Sequence, residues 1–114
     1  MCGIYGSTRI YEDKIIKSKL DRMKFRGPDN SEFILLNNKV ILGHNRLSII
    51  DLNKRSNQPF KYHHLTITFN GQIYNFKKIK KELIKKGYSF RTESDTEVIC
   101  ASYIHYGSKC IEKF

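Results

Sequence analysis

The stretch Cys2-Gly3-Ile4-Tyr5-Gly6, which follows Met1, predicts the first strand of the fold. It also places a reactive cysteine at the beginning of that strand. Once Met1 is removed, Cys2 is the first residue and carries a thiol and a free α-amine. Ordinary pKa values are about 8.5 for a thiol and about 7.7–8.0 for an α-amine, so the amine can deprotonate the thiol near neutral pH. Two glycines keep the space beside such a nucleophile open. The stretch therefore predicts a strand over 2–7 that starts at a candidate nucleophile.

Apolar spacing along the rest of the chain predicts an α+β fold with a largely antiparallel sheet and at least three helices. Asn37-Asn38-Lys39 separates two apolar runs, as hairpin turns do. Ser94 and Glu97 have capping-box spacing, which indicates a helix start, and Gly87 and Gly107 are typical helix ends. The predicted elements are helices over 13–25, 76–86 and 95–106, a hairpin of 33–36 with 40–43, a polar loop over 51–59, and a strand over 65–69.

Length and composition predict one small soluble domain. The chain has 114 residues, of which 39% are hydrophobic and 28% are charged. No apolar stretch approaches the roughly 18–20 residues that span a membrane, and the N-terminus has no basic segment followed by an apolar one. We therefore expect a cytoplasmic protein that does not enter a membrane. Cys2, Cys100 and Cys110 lack metal-ligand spacing, which predicts neither a disulfide framework nor a zinc site, and Cys100 is expected to be a buried small hydrophobe.

The formal net charge of +10 leaves one alternative open, a basic nucleic-acid-binding module. That alternative depends on charge alone. The densest basic cluster is Lys77, Lys78, Lys80, Lys81, Lys85 and Lys86. These lysines are interleaved with apolar residues at helical spacing, namely Phe76, Ile79, Leu83 and Ile84. The pattern favours a solvated helix face opposite a buried apolar stripe, so we do not expect nucleic acid as the partner.

Six short motifs occur in order along nearly the whole chain. They are Cys2-Gly3-Ile4-Tyr5-Gly6, Arg26-Gly27-Pro28-Asp29, Gly43-His44-Asn45-Arg46-Leu47-Ser48-Ile49 with Asp51, Asn57-Gln58-Pro59, Asn70-Gly71-Gln72-Ile73-Tyr74-Asn75 and Ser94-Asp95-Thr96-Glu97. Their order and spacing resemble the class II glutamine amidotransferase domain, the N-terminal nucleophile type. The resemblance is closest to the glutaminase domain of asparagine synthetase B.

This resemblance implies the reaction and the site. In the family, an N-terminal cysteine attacks the side-chain amide of L-glutamine, ammonia leaves, and water hydrolyses the γ-glutamyl thioester. Cys2 matches the nucleophile, while Asn70 and Gly71 match the residues that donate a side-chain amide and a backbone N–H to the oxyanion. Arg26 and Asp29 resemble loop-ordering residues. The implied substrate-binding residues are Arg46 for the α-carboxylate, Asp95 and Gln72 for the α-ammonium, and Ile49 and Ile50 for the pocket backbone.

Three of these positions also have a plain structural interpretation. Asn70-Gly71 is a strong hairpin-turn signal. Arg46 is also compatible with an exposed arginine at the end of a strand, although the motif favours the substrate-binding role. Asp95 lies in a first helical turn, where a carboxylate is favourable because of the helix dipole.

The sequence departs from the family pattern at two positions. Gln72 stands where the asparagine synthetase pattern usually has glutamate, which removes one charged partner for the substrate ammonium. A charge-assisted hydrogen bond contributes about 1.5–3 kcal/mol, so glutamine binding should be weaker. Phe25 replaces the histidine that usually precedes Arg-Gly-Pro-Asp. Neither departure affects the nucleophile.

The resemblance also has a limited extent. It implies an αββα sandwich of two sheets between helical layers, and we expect residues 1–114 to represent only the front part of that truncated domain. The Ser-Gly-Gly-x-Asp-Ser motif of a synthetase domain is absent from the sequence. We expect no metal or organic cofactor for the glutaminase step, with ATP and Mg²⁺ belonging to a synthetase domain or partner that receives the ammonia. An inactive remnant that serves as a binding or regulatory module remains the alternative.

Overall fold

The computed structural model describes all 114 residues and contains two antiparallel sheets with three α-helices. This architecture confirms the predicted α+β class. The strands are β1 (Gly3–Ser7), β2 (Asn30–Leu36), β3 (Val40–Arg46), β4 (Phe60–Tyr62) and β5 (Leu65–Ile67). The helices are α1 (Asp13–Asp21), α2 (Phe76–Lys85) and α3 (Asp95–Tyr106), with short 3₁₀ segments at Lys24–Arg26, Lys54–Ser56 and Gly107–Lys113.

The first sheet has the strand order β1-β3-β2, with β3 in the centre. The hairpin between β2 and β3 was predicted correctly, and Asn37 and Asn38 both adopt positive φ in its turn, a conformation that asparagine tolerates. Helix α1 packs on one face of this sheet through a small core of Ile16, Leu20 and Ile41. The register places Gly3 opposite Asn45, so the start of β1 lies beside the end of β3.

The larger core lies between the second sheet and the two C-terminal helices. Its buried members are Phe60 and Tyr62 of β4, Phe76, Ile79 and Leu83 of α2, and Val98, Cys100 and Ala101 of α3. Burial of Cys100 was predicted, and it raises the pKa of that thiol to about 12. This packing fixes the N-terminal end of α3 relative to the strands.

Helix α2 has the predicted division into a buried stripe and a lysine-rich face. Five of its clustered lysines are exposed, and Lys80 is half-buried because it donates to Thr92 and Glu93. One detail of the prediction is wrong. Ile84 is 52% exposed, so the buried stripe consists of Phe76, Ile79 and Leu83. Gly87 follows the helix with φ of 94°, as expected of a residue that ends a helix.

The structure differs from the sequence-based expectations in three further features. Helix α1 ends at Asp21 rather than at residue 25, and a separate 3₁₀ turn follows. Strand β4 was not predicted, and it pairs with β5 across a turn in which His63 has φ of 51°. Helix α3 has the predicted bounds, but Glu97 does not complete a capping box with Ser94. Its carboxylate accepts instead from the backbone N–H groups of Arg91 and Thr92. None of the helices is long and apolar enough to cross a membrane.

Candidate active site

A cavity of about 290 Å³ lies where the start of β1, the end of β3 and the start of α3 meet. This volume is near the lower end of the range typical of small-molecule sites. The residues that line it come from segments far apart in the sequence. All eight predicted site residues are among them: Cys2, Arg46, Ile49, Ile50, Asn70, Gly71, Gln72 and Asp95.

Cys2 lies at the cavity wall immediately before β1, with its thiol half-buried. The backbone N–H of Leu47 points at the sulfur with an N···Sγ distance of 3.3 Å. The Nε of Arg26 donates to the Cys2 carbonyl at 3.2 Å, which fixes the backbone of the candidate nucleophile. Met1 also lines the cavity, so removal of Met1 exposes the Cys2 amine at the same wall.

The Arg26–Asp29 turn orders the backbone around Cys2. Asp29 donates its N–H to the Arg46 carbonyl at 3.0 Å, and its carboxylate accepts from the Ser48 N–H at 2.7 Å. Together with the Arg26 contact to Cys2, these bonds connect the turn to both β1 and the residues after β3. The geometry supports the loop-ordering role predicted for Arg26 and Asp29.

Asn70 and Gly71 do not form a hairpin turn. They follow β5 and lead toward α2, and neither lies between two paired strands. Asn70 is half-buried, Gly71 is exposed, and both face the cavity that contains Cys2. Their position removes the hairpin interpretation and is compatible with donors directed at a substrate.

Arg46 is 5% exposed, so it is not the exposed strand-end arginine of the plain interpretation. Its guanidinium donates to the Asn53 carbonyl at 3.0 Å, to Asn57 Oδ1 at 2.7 Å, and to the carbonyls of Ile50 and Asp51. These bonds occupy four of its five N–H groups and leave Nε–H as the remaining donor. Arg46 thus orders the loop over residues 50–57 at the same time as it lines the cavity.

The position of Asp95 is compatible both with a carboxylate stabilised by the helix dipole and with a residue that binds substrate. It is the first residue of α3, where the dipole favours a carboxylate, and it is 5% exposed at the cavity wall. One carboxylate oxygen, Oδ2, accepts from the Ile73 N–H at 3.0 Å. This bond connects α3 to the segment that carries Asn70 and Gly71.

The remaining predicted residues form the rim. Ile49 is 71% exposed, whereas Ile50 is half-buried and packs against the larger core. Gln72 is exposed, lines the same cavity and makes no hydrogen bond through its side chain. A ligand in this cavity therefore meets a buried floor and an open, partly apolar rim.

The whole chain, residues 1–114, matches the family model described as the glutamine amidotransferase domain. The chain belongs to this family. It is similar to asparagine synthetase [glutamine-hydrolyzing] 1 of Bacillus subtilis, with 38% identity over 122 residues, 99% of this chain and 19% of that protein. It is also similar to the putative asparagine synthetase [glutamine-hydrolyzing] 2 of Methanocaldococcus jannaschii, with 33% identity over 137 residues, 100% of this chain and 26% of that protein.

A third relative is named as an amidase rather than as an asparagine synthetase. Amidase chry2 of Gibberella zeae is 38% identical over 95 residues, which cover 81% of this chain and 14% of that protein. The chain thus spans about a quarter or less of these relatives. The comparisons confirm the family resemblance and relate this glutamine amidotransferase domain to asparagine synthetases.

The motifs quoted from the sequence include Asp51 without a role, and in the structure it is the centre of a polar network beside the site of this glutamine amidotransferase domain. Its carboxylate accepts from the Glu93 N–H at 2.8 Å, from the Ser56 hydroxyl at 2.8 Å and from Arg55 Nε at 3.2 Å. Burial acts to raise the pKa of Asp51, but these hydrogen bonds outweigh it and lower the pKa to about 2. Asp51 therefore joins the 50–57 loop to the residues before α3.

This network predicts a loss of stability in acid. The folded-state pKa of Asp51 lies below its ordinary value of 3.8. The ionised carboxylate therefore contributes to the free energy of unfolding above about pH 4, and this contribution is lost as the pH falls toward about 2. The expected loss is on the order of 1–2 kcal/mol. Urea unfolding at pH 5 and pH 2.5 should show that Asp51→Asn has a smaller drop than the parent chain. Equal drops would contradict the prediction.

His44 and Gln58 lie in two of the quoted motifs, but sequence reasoning assigned neither of them a role. His44 is fully buried, which lowers its pKa to about 4, so the imidazole is neutral at neutral pH. Its Nε2 lies 3.2 Å from the Phe69 carbonyl, and only the tautomer with a proton on Nε2 can donate to it. Gln58 is 6% exposed and lines the cavity floor.

Proposed function

We propose that this domain hydrolyses L-glutamine to L-glutamate and ammonia, with Cys2 as an N-terminal nucleophile. The observation that carries the proposal is that one cavity is lined by a thiol (Cys2), an Asn-Gly donor pair, and two buried side chains of opposite charge, Asp95 and Arg46. A substrate with an amide at one end and an amino-acid group at the other suits this set. Membership of the family supports the same reaction.

The proposed chemistry has two steps. The Cys2 α-amine, free after removal of Met1, takes the thiol proton, and the thiolate attacks the side-chain carbonyl carbon of glutamine. The Asn70 side-chain amide and the Gly71 N–H stabilise the oxyanion that develops. The intermediate collapses to a γ-glutamyl thioester, and the amine returns its proton to the departing ammonia. Water then attacks the thioester, which releases glutamate and restores the thiol.

The amino-acid end of glutamine is assigned to the charged residues of the cavity. Asp95 has one oxygen, Oδ1, that is free of protein hydrogen bonds and suits the α-ammonium. Arg46 offers Nε–H and its positive charge to the α-carboxylate, while its other donors hold the 50–57 loop. The backbone around Ile49 and Ile50 completes the pocket.

The products and partners follow from this chemistry. Cys2, its amine and the oxyanion donors supply every group that the hydrolysis uses, so the proposal requires no metal or organic cofactor for this step. We propose that ammonia passes to a synthetase domain or partner that uses it for asparagine formation. ATP and Mg²⁺ belong to that second reaction.

The direct test measures glutamate release from L-glutamine by two forms of the chain. One form has Cys2 exposed by proteolytic removal of a leader, and the other retains Met1, with both masses verified. The processed form should release glutamate and ammonia in equal amounts, and the Met1 form should be inactive. A folded, processed chain without turnover would reject autonomous hydrolysis and favour the inactive binding or regulatory module.

Restoring a charge at residue 72 should strengthen glutamine binding. Gln72→Glu places a carboxylate at the cavity rim, where it can pair with the substrate ammonium. Because residue 72 is exposed, the pair contributes about 0.5–1 kcal/mol, less than a buried one, and the expected fall in KM is about two- to fivefold. Steady-state kinetics at low and high salt measure the effect. A KM that is unchanged at low salt would show that residue 72 does not contact the ammonium.

A further inference from the structure

Phe69, the residue before Asn70, is held by side chains at both of its backbone polar groups. Gln58 Oε1 accepts from the Phe69 N–H at 2.5 Å, and His44 Nε2 donates to the Phe69 carbonyl at 3.2 Å. Strand β5 ends at Ile67, and no backbone–backbone hydrogen bond reaches residues 69–72. The two side chains therefore satisfy the backbone N–H and carbonyl of Phe69, which in a strand would be satisfied by backbone–backbone hydrogen bonds.

The β4-β5 register explains why a side chain is used at this point. Phe60 pairs with Ile67, so the same register continued outward would oppose Gln58 to Phe69. The backbone pairing of β4 with β5 ends at Phe60 and Ile67, however, and Phe69 makes no backbone–backbone hydrogen bond. The Gln58 side chain takes over by offering its amide oxygen to the Phe69 N–H.

The Gln58 amide has only one orientation that satisfies both of its neighbours. Its Nε2 donates to the Thr96 hydroxyl at 3.2 Å, while its oxygen accepts from Phe69. A rotated amide would place its NH₂ group against the Phe69 N–H, which is unfavourable at a site 6% exposed. Thr96 belongs to the first turn of α3, next to Asp95. Gln58 thus connects Phe69 to the helix that carries the proposed ammonium-binding residue.

The aromatic ring of Phe69 contacts Gly71, the residue on the far side of Asn70. A Cβ placed on Gly71 would lie 2.7 Å from Cζ of the Phe69 ring, closer than side chains approach in proteins. The ring therefore rests directly on Gly71. Fixing the backbone of Phe69 fixes the residue before Asn70 and, through the ring, the residue after it.

We propose that Gln58 and His44 are positioning residues that hold Asn70 and Gly71 where they can donate to the oxyanion. This inference rests on the proposed function. His44 acts as a neutral donor from β3, and Gln58 acts as an acceptor tied to α3. His44 does not line the cavity, and Gln58, which does, has its amide oxygen bonded to Phe69 and its Nε2 to Thr96, so we assign both side chains an action through the backbone of Phe69.

The test compares variants that remove each hydrogen bond with little change in volume. Gln58→Met and His44→Leu should lower kcat about 10- to 100-fold with a change in KM below about threefold, because misplaced oxyanion donors weaken only the transition state. His44→Gln, which keeps a donor near the position of Nε2, should recover at least a tenth of the parent kcat. His64→Leu, at an exposed histidine of the β4-β5 turn, serves as the matched control and should leave kcat unchanged.

Two readouts separate positioning from general damage. Alkylation of Cys2 by iodoacetamide should keep its rate in the folded variants, since the thiol does not depend on the Phe69 contacts. Hydrogen exchange of the Phe69 amide should accelerate at least tenfold in Gln58→Met, and this measurement needs no turnover. Unchanged exchange would overturn the role of Gln58, and a parallel fall in kcat and in alkylation would overturn the positioning role of both residues.

Asn70→Ala distinguishes the failure of this inference from the failure of the proposed function. We expect Asn70→Ala to lower kcat about 100- to 1,000-fold. If it does so while Gln58→Met and His44→Leu keep the parent kcat, the positioning inference is wrong and the oxyanion assignment stands. If Asn70→Ala keeps the parent kcat, the oxyanion assignment itself is wrong, and the positioning inference fails with it.

Discussion

Replacement of Cys2 by alanine is expected to reduce glutamate release from L-glutamine by at least about 10⁴-fold. The proposed reaction forms a bond between the Cys2 sulfur and the substrate carbonyl carbon, and Cys2 carries the only thiol among the residues that line the cavity. The alanine side chain leaves the Leu47 N–H without the sulfur that it contacts, but this site is only half-buried. The fold should therefore survive, and the loss should appear in kcat.

The matched control removes a different cysteine. Cys110→Ala deletes a thiol that is 4% exposed within the C-terminal 3₁₀ segment and does not line the cavity. Its pKa is raised by burial, so it is a poor nucleophile. Cys110→Ala should retain parent turnover, and mass spectrometry should find a γ-glutamyl adduct on Cys2 alone. Turnover by folded Cys2→Ala would show that another group carries the reaction.

The parts of the fold that sequence predicted well are those set by nearby residues. Ser94 begins α3 as expected, because its hydroxyl accepts from the Thr96 N–H only two residues away. Asn37 and Asn38 form the predicted turn because asparagine tolerates positive φ. Such signals act over two to four residues and need no knowledge of the tertiary fold.

The contacts that sequence could not predict join residues far apart in the chain. Glu97 has the spacing of a capping box, yet its carboxylate turns to the backbone of Arg91 and Thr92, where it is buried and fully bonded. Asp51 reaches Glu93, which lies 42 residues later. Both outcomes depend on how the loop before α3 packs, which no local pattern encodes.

Arg46 shows that the assignment of a residue to a site can miss a second role of that residue. The motif placed it at the cavity, and the structure brings it there. Neither the substrate-binding nor the exposed-arginine interpretation anticipated a buried guanidinium that holds the carbonyls of the following loop. Five donors on a planar group allow both tasks, since four bind the loop and one remains. The motif therefore encodes local architecture beside the cavity in addition to the proposed ligand contact.

The Arg26–Asp29 turn depends on the close approach of Gly27 to β3, and Gly27→Ala is expected to destabilise the fold by at least about 3 kcal/mol. A Cβ on Gly27 would lie 2.2 Å from the Asn45 carbonyl oxygen and 2.7 Å from the Arg46 carbonyl carbon. Both are backbone atoms of the central strand and cannot move aside as a flexible side chain does. The turn must therefore shift away from β3.

That shift should also reach Cys2, the proposed nucleophile. Arg26 would lose its bond to the Cys2 carbonyl, and Asp29 would lose the Ser48 N–H, so turnover should fall together with stability. Gly6→Ala is the matched control, because a Cβ there meets only Leu42 Cδ2 at 3.9 Å and adds no strain. It should be neutral or slightly stabilising, since alanine restricts the unfolded chain. Urea unfolding of both variants measures the difference, and values within 0.5 kcal/mol of each other would show that the turn tolerates a side chain at residue 27.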